Sequence, residues 1–191
     1  MLTNRSYFIK VFFTAAILAM AGIQGYAQKY FTRDGIVSFF SDASVEKIEA
    51  VNTKAASVLD SETGQIEFAV LIKSFHFEKA LMEEHFNENY LESNKFPKAT
   101  FKGTIINLAQ INFSKNGEYH ATVQGDLTIH GVTKSIQTEG VLVVSNGSFH
   151  ATSEFEIAVA DYDIEIPKVV RENIAKIVRI QVDMHYKLME Q

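Results

Sequence analysis

The side chains best equipped for chemistry in this 191-residue chain are its six histidines, because the chain has no cysteine. One of them has an unusual setting. Gly125 to Lys134 reads GDLTIHGVTK, an alternation of apolar and polar residues that breaks at His130-Gly131. An imidazole there could hydrogen-bond, shuttle a proton or ligate a metal. Gly131 suits the positive φ of a tight turn. The first expectation is therefore structural: the His130 ring hydrogen-bonds the turn or a neighbouring strand, with Thr128 and Thr133 as nearby polar partners. Contact with a ligand's head group is the alternative.

The spacing of the other histidines does not suggest a metal. His120 and His130 share a strand face but lie ten residues apart, roughly 33 Å on an extended chain. His76, His85, His150 and His185 fall in separate elements, and no H-E-x-x-H pair occurs. No metal centre is expected. Catalysis has no better footing, since the chain shows no G-x-S-x-G elbow and no nucleotide-binding glycine pattern. No catalytic residue is expected.

The elements that must position these residues are strands. Ile66, Phe68, Val70 and Ile72 share one face, as do Tyr119, Ala121, Val123, Leu127 and Ile129. Phe149, Ala151, Phe155 and Ile157 repeat the pattern, followed by Val178, Ile180, Val182, Met184 and Tyr186. Turn residues separate the runs at Asp60–Gly64, Lys115–Gly117, His130–Thr133 and Asn146-Gly147. Asn146-Gly147-Ser148 matches a glycosylation sequon, but its simpler reading is a two-residue hairpin. Short connections imply antiparallel neighbours. Residues 78–92 instead carry Leu81, Met82, His85, Phe86 and Tyr90 at helical spacing, which predicts one amphipathic helix. Pro97 introduces a further strand, and Pro167 a short helical turn before the last one. The class is all-β, with about eight strands; periodicity leaves both a two-sheet stack and a closed barrel open.

The first 27 residues are read as an export signal. Arg5 and Lys10 precede or flank the apolar run Val11–Ile23, and the segment ends on Gly25-Tyr26-Ala27. A membrane anchor is the alternative, though the run is short for a span. Removing Arg5 and Lys10, the only charged residues of that segment, takes the net charge from −5 to −7 for residues 28–191. Such acidity argues against nucleic acid as a partner. No span follows Ala27, and the remaining 28–191 are expected to form one domain.

GDLTIHGVTK, with FPKATFKG at Phe96–Gly103 and the preceding HFNENYLESNKFP, resembles the YceI-like family of exported proteins. The likeness runs from about Tyr30 to the C-terminus. It implies a lipocalin-like antiparallel β-barrel whose apolar lumen holds a polyprenyl or quinone tail, and a periplasmic or secreted location. The matching motif positions are Gly125, Leu127, Thr128, His130, Gly131 and Thr133. Interior positions by alternation include Phe39, Phe68, Val70, Phe101, Ile105, Val123, Leu127, Leu142, Phe155 and Ile180. A ligand tunnel and a dry core call for the same residue types.

The leading expectation is an exported, non-enzymatic carrier for an apolar isoprenoid or quinone, with no other cofactor. The alternatives are a solid-core structural or interaction protein of the envelope, and an isomerase or hydrolase using a histidine at the tunnel rim. A homodimer is left open, since the sequence does not fix the oligomeric state.

Overall fold

The computed structural model describes residues 28–189, so the export signal read over residues 1–27 lies outside the described residues. The period-two segments form nine strands: β1 Lys29–Asp42, β2 Lys47–Asp60, β3 Gln65–Leu71, β4 Phe75–Phe77, β5 Lys98–Ile105, β6 Gly117–Ile129, β7 Val132–Ser145, β8 Ser148–Ala158 and β9 Ile177–Leu188. They join in the order β1-β9-β8-β7-β6-β5-β3-β2-β4, and β1 also pairs with β2. That last pairing closes eight strands into an antiparallel barrel, with β4 as an extra strand on β2. Closure removes most of the exposed sheet edge that an open stack would leave.

Turn chemistry fixes the register. His130 and Gly131 both take positive φ, 52° and 78°, and Asn146 and Gly147 do the same at 50° and 78°. Both pairs are therefore two-residue hairpin turns whose twist matches that of the flanking strands. The β6–β7 hairpin pairs without a slip from Gly117↔Val144 to Ile129↔Val132. In the turn after β2, the Asp60 carboxylate accepts from the backbone N–H groups of Glu62 and Thr63, both at 3.0 Å.

β1 is bent rather than regular, with register shifts on either side of Gly35. A Cβ at Gly35 would lie 2.0 Å from Sδ of Met184, a fully buried side chain. Glycine lets the strand kink onto β9 and the barrel close there.

Two local expectations need correction, and a third is met. The helix expected over 78–92 is a six-residue α-helix, α1 (Ala80–His85), continued by a π-helical turn over Phe86–Tyr90. The Asn87 side chain donates to the Glu83 carbonyl at 2.9 Å, and the ladder shifts so that Leu91 N–H reaches the Phe86 carbonyl. Glu92, at φ 41°, ends it. β3 stops at Leu71: the Ile72 N–H still reaches its register partner, the Pro97 carbonyl, at 3.0 Å, but proline has no N–H to return, and the chain enters a 3-10 turn over Ile72–Ser74. The turn expected after Pro167 is present as a 3-10 turn over Lys168–Val170, and a second such turn, Val159–Tyr162, precedes it.

Candidate functional site

The inward faces of the strands do not fill the barrel. They enclose a cavity of ≈ 570 Å³ with almost wholly apolar walls, within the usual range for a small-molecule site. All ten interior positions read from the alternation line it: Phe39, Phe68, Val70, Phe101, Ile105, Val123, Leu127, Leu142, Phe155 and Ile180. Five of them, Phe39, Phe68, Val123, Phe155 and Ile180, are only partly buried, as expected of side chains that border a void.

Small residues help to keep the lumen open. Gly103 and Gly125 are register partners on β5 and β6. A Cβ on Gly125 would fall 2.4 Å from the Gly103 Cα and 2.8 Å from Cζ of Phe101. The motif glycine therefore lets the two strands and the Phe101 ring approach closely. Ala121, Gly140 and Ala151 add further lining positions without bulk.

The two ends of the barrel differ. At the end where β1 and β8 begin, Tyr30, Phe113, Phe149 and Tyr186 pack ring to ring, with centroid separations from 4.5 to 5.9 Å. The Tyr186 hydroxyl bonds to Ser57 Oγ, which donates to the Glu67 carbonyl at 2.8 Å. Burial pushes the Tyr186 phenol well above the usual tyrosine range, and the Ser57 contact offsets only part of that. This aromatic plug seals the end.

At the other end the lining reaches exposed residues. Leu81, Met82 and His85 of α1 border the cavity, together with Ile48, Val170 and Ile174. Leu81 is 61% exposed. This is the mouth. The π-helical turn is held across it by Phe86, which packs on Phe39, Phe75 and Phe77 at 5.0 to 5.6 Å. Lys79 Nζ and Glu46 Oε1 meet at 2.7 Å on the rim, and Asn173 also donates to Glu46. Hydrogen bonds from Lys79 and then Asn173 hold the Glu46 carboxyl below the usual range.

Sequence reasoning missed part of the wall. Ile164, Ile166, Val170 and Ile174 lie between β8 and β9, outside any regular strand, and line the cavity. Their only signal was the short alternation Ile164-Glu165-Ile166.

His130 is not part of the wall. Its side chain is 11% exposed, with Nδ1 3.1 Å from the Tyr162 carbonyl oxygen and Nε2 2.9 Å from Glu92 Oε2. The ring lies edge-on to Phe96 at 4.7 Å. Both hydrogen-bond partners are acceptors, a carbonyl and a carboxylate oxygen. His130 thus ties the β6–β7 hairpin to the loop after the π-helical turn and to the turn after β8. The partners expected in the sequence are corrected: Thr128 and Thr133 bond to each other, Oγ1 to Oγ1 at 2.8 Å. Gly131 packs against Phe96, with no room there for a Cβ. Of the remaining histidines, His85 borders the mouth and His120 is exposed, whereas β8 and β9 bring His150 and His185 together on the outer wall.

No helix among the described residues is long and apolar enough to cross a membrane. Among solved structures, the chain is similar to a polyisoprenoid-binding domain from Saccharophagus degradans implicated in plant cell wall breakdown. The TM-score is 0.74 at 13% identity, over 86% of this chain and all of that one. It is also similar to BcnA of Burkholderia cenocepacia, with TM-score 0.64 at 16% identity over 78% of this chain and 94% of that one. A YceI protein of Campylobacter jejuni gives 0.54 at 15% identity over 74% and 85%. At these identities the likeness establishes the fold. A curated relative, the UPF0312 protein VPA0850 of Vibrio parahaemolyticus, is 28% identical over 119 residues, which span 58% of this chain and 57% of the relative. The family model of the YceI-like domain matches residues 29–186, nearly the whole barrel. The chain belongs to the YceI-like domain family.

Proposed function

We propose that this protein is an exported carrier that holds one long apolar lipid, an isoprenoid or quinone tail, in the barrel lumen. The observation that carries the reading is the apolar cavity, sealed by the Tyr30–Tyr186 aromatic plug and open beside α1. A chain buried there gains about 0.8 kcal/mol per CH₂, so affinity needs no catalytic group. The polar rim of Lys79, Glu46 and Asn173 suits a head group left at the mouth. Val45, Leu81 and Val169 expose apolar surface around that mouth, which favours loading and release at a lipid surface. The similarity to a polyisoprenoid-binding domain supports the ligand class. A periplasmic or secreted location is part of the proposal and rests on the signal read in residues 1–27.

The solid-core alternative loses ground to the open lumen. The enzyme alternative has no support in the position of His130, which is occupied by Glu92 and Tyr162 away from the cavity.

Uptake of a quinone or polyprenol by delipidated protein, measured by organic extraction and mass spectrometry, tests the reading. The expected result is one lipid per chain for the wild type and strongly reduced uptake for Ala151→Phe, which puts a ring into the lumen. Equal uptake by a variant whose fold is intact would overturn it.

A further inference from the structure

The outer wall carries a second constellation, unrelated to the lumen. β8 and β9 run antiparallel, and their register sets His150 directly opposite His185, with Thr152 opposite Asp183. Asp183 and His185 are two residues apart on β9 and so share a face. The two imidazoles stack at 4.2 Å with planes 7° apart. His150 Nε2 is 2.8 Å from Asp183 Oδ1, and His185 Nε2 is 3.7 Å from the same oxygen. One nitrogen from each ring and one carboxylate oxygen lie within 4.8 Å of one another.

We propose that His150, Asp183 and His185 form a surface site for a divalent first-row transition-metal ion, with Zn²⁺ as the appropriate probe. Two imidazole nitrogens and one carboxylate oxygen are the donor set that zinc or copper(II) takes readily. Calcium and magnesium prefer shells of oxygen, which two imidazoles do not provide. Bonds of about 2.0–2.1 Å in tetrahedral geometry place donors roughly 3.3 Å apart. The contacts of 2.8 and 3.7 Å bracket that spacing, but the lone pairs of stacked rings run parallel, so on binding the exposed His185 ring must swing out of the stack until both nitrogens point at one ion. Both strands are part of the closed barrel, which holds the Cα positions in place while the rings adjust. The side chains are 35%, 43% and 73% exposed for His150, Asp183 and His185. The ion therefore has a path from solvent and keeps an open coordination position for water.

The lumen lies on the other side of the same strands, where Ala151 and Met184 face inward. Metal binding is thus separable from lipid binding. An ion there would clip β8 to β9 from outside and stabilise the barrel by mass action, since a preformed cluster binds it better than the unfolded chain.

The experiment is calorimetric titration of Zn²⁺ into the full protein after removal of metal with a chelator, repeated with Co²⁺ to record its visible absorption. Wild type is expected to bind one ion per chain with a Co²⁺ band. His150→Ala and His185→Ala should each weaken binding by at least about tenfold, whereas His120→Ala, on the same outer surface, should leave it unchanged. Melting in chelator shows whether each variant is folded, and the Co²⁺ band of the wild type needs no variant at all. Binding that is unaltered in folded His150→Ala and His185→Ala, or the lack of any Co²⁺ band at saturation, would overturn the proposal.

Discussion

Replacing His130 with Ala should destabilise the barrel without touching the lumen, and the size of the loss follows from its contacts. The Tyr162 carbonyl loses a partner, which costs about 1–3 kcal/mol when the group stays buried. The contact with Glu92 is partly open to solvent, the carboxylate side chain being 45% exposed, so its share is held to about 1 kcal/mol or less. Alanine also keeps a positive φ at the first turn position, a conformation whose cost glycine avoids. The total is about 1–4 kcal/mol, or a fall in Tm of roughly 2–16 °C for a domain of this size. Chemical denaturation should give the loss directly. His130→Gly should be less damaging than His130→Ala, because it relieves the backbone while losing the same ring. Combining His130→Ala with Glu92→Gln should cost less than the sum of the two single changes. Abolished lipid uptake at an unchanged melting temperature would refute this reasoning and put the imidazole on the ligand.

Other outcomes follow from the plug, the strands and the rim. Because the folded-state pKa of Tyr186 is raised above its unfolded value near 10, the unfolded chain ionises first on the alkaline side. Stability is intact below pH 10 and is lost above it, by about 1.4 kcal/mol per pH unit. Comparing denaturation of wild type and Tyr186→Phe from pH 9 to 11.5 isolates this slope, since other groups cancel in the difference. Gly125→Val should lower stability by about 1–3 kcal/mol through overpacking against Phe101 and β5, read from the urea midpoint. Lys79→Ala removes only a solvent-exposed rim contact, so the Tm should stay within error while the lipid dissociation rate rises if the head group sits there.

The interior wall was legible because strand alternation is a local property. One face of β6 puts Tyr119, Ala121, Val123, Leu127 and Ile129 inward whatever the neighbours do. Whether the wall encloses space was not legible, since Phe68 and Leu142 would look the same in a solid core. That outcome depends on barrel closure through β1–β2 and on glycines such as Gly125, whose lack of a side chain matters only beside Phe101 and Gly103. Helical spacing at Leu81, Phe86 and Tyr90 was real, but it could not reveal the shift to a π turn, where the Asn87 side chain takes the Glu83 carbonyl. The His150–His185 contact lay beyond sequence spacing altogether. It arises from the register of two strands separated by the segment 159–176, and no local pattern records that register.

Native mass spectrometry of protein exported from a host rich in isoprenoid lipids reads the occupancy of the cavity. A lipid carrier should show one added mass per chain, released by organic solvent and identified as an isoprenoid or quinone, and Ala151→Phe should lack it. Protein that leaves the host empty, and that then refuses added quinones and polyprenols, would contradict the carrier reading.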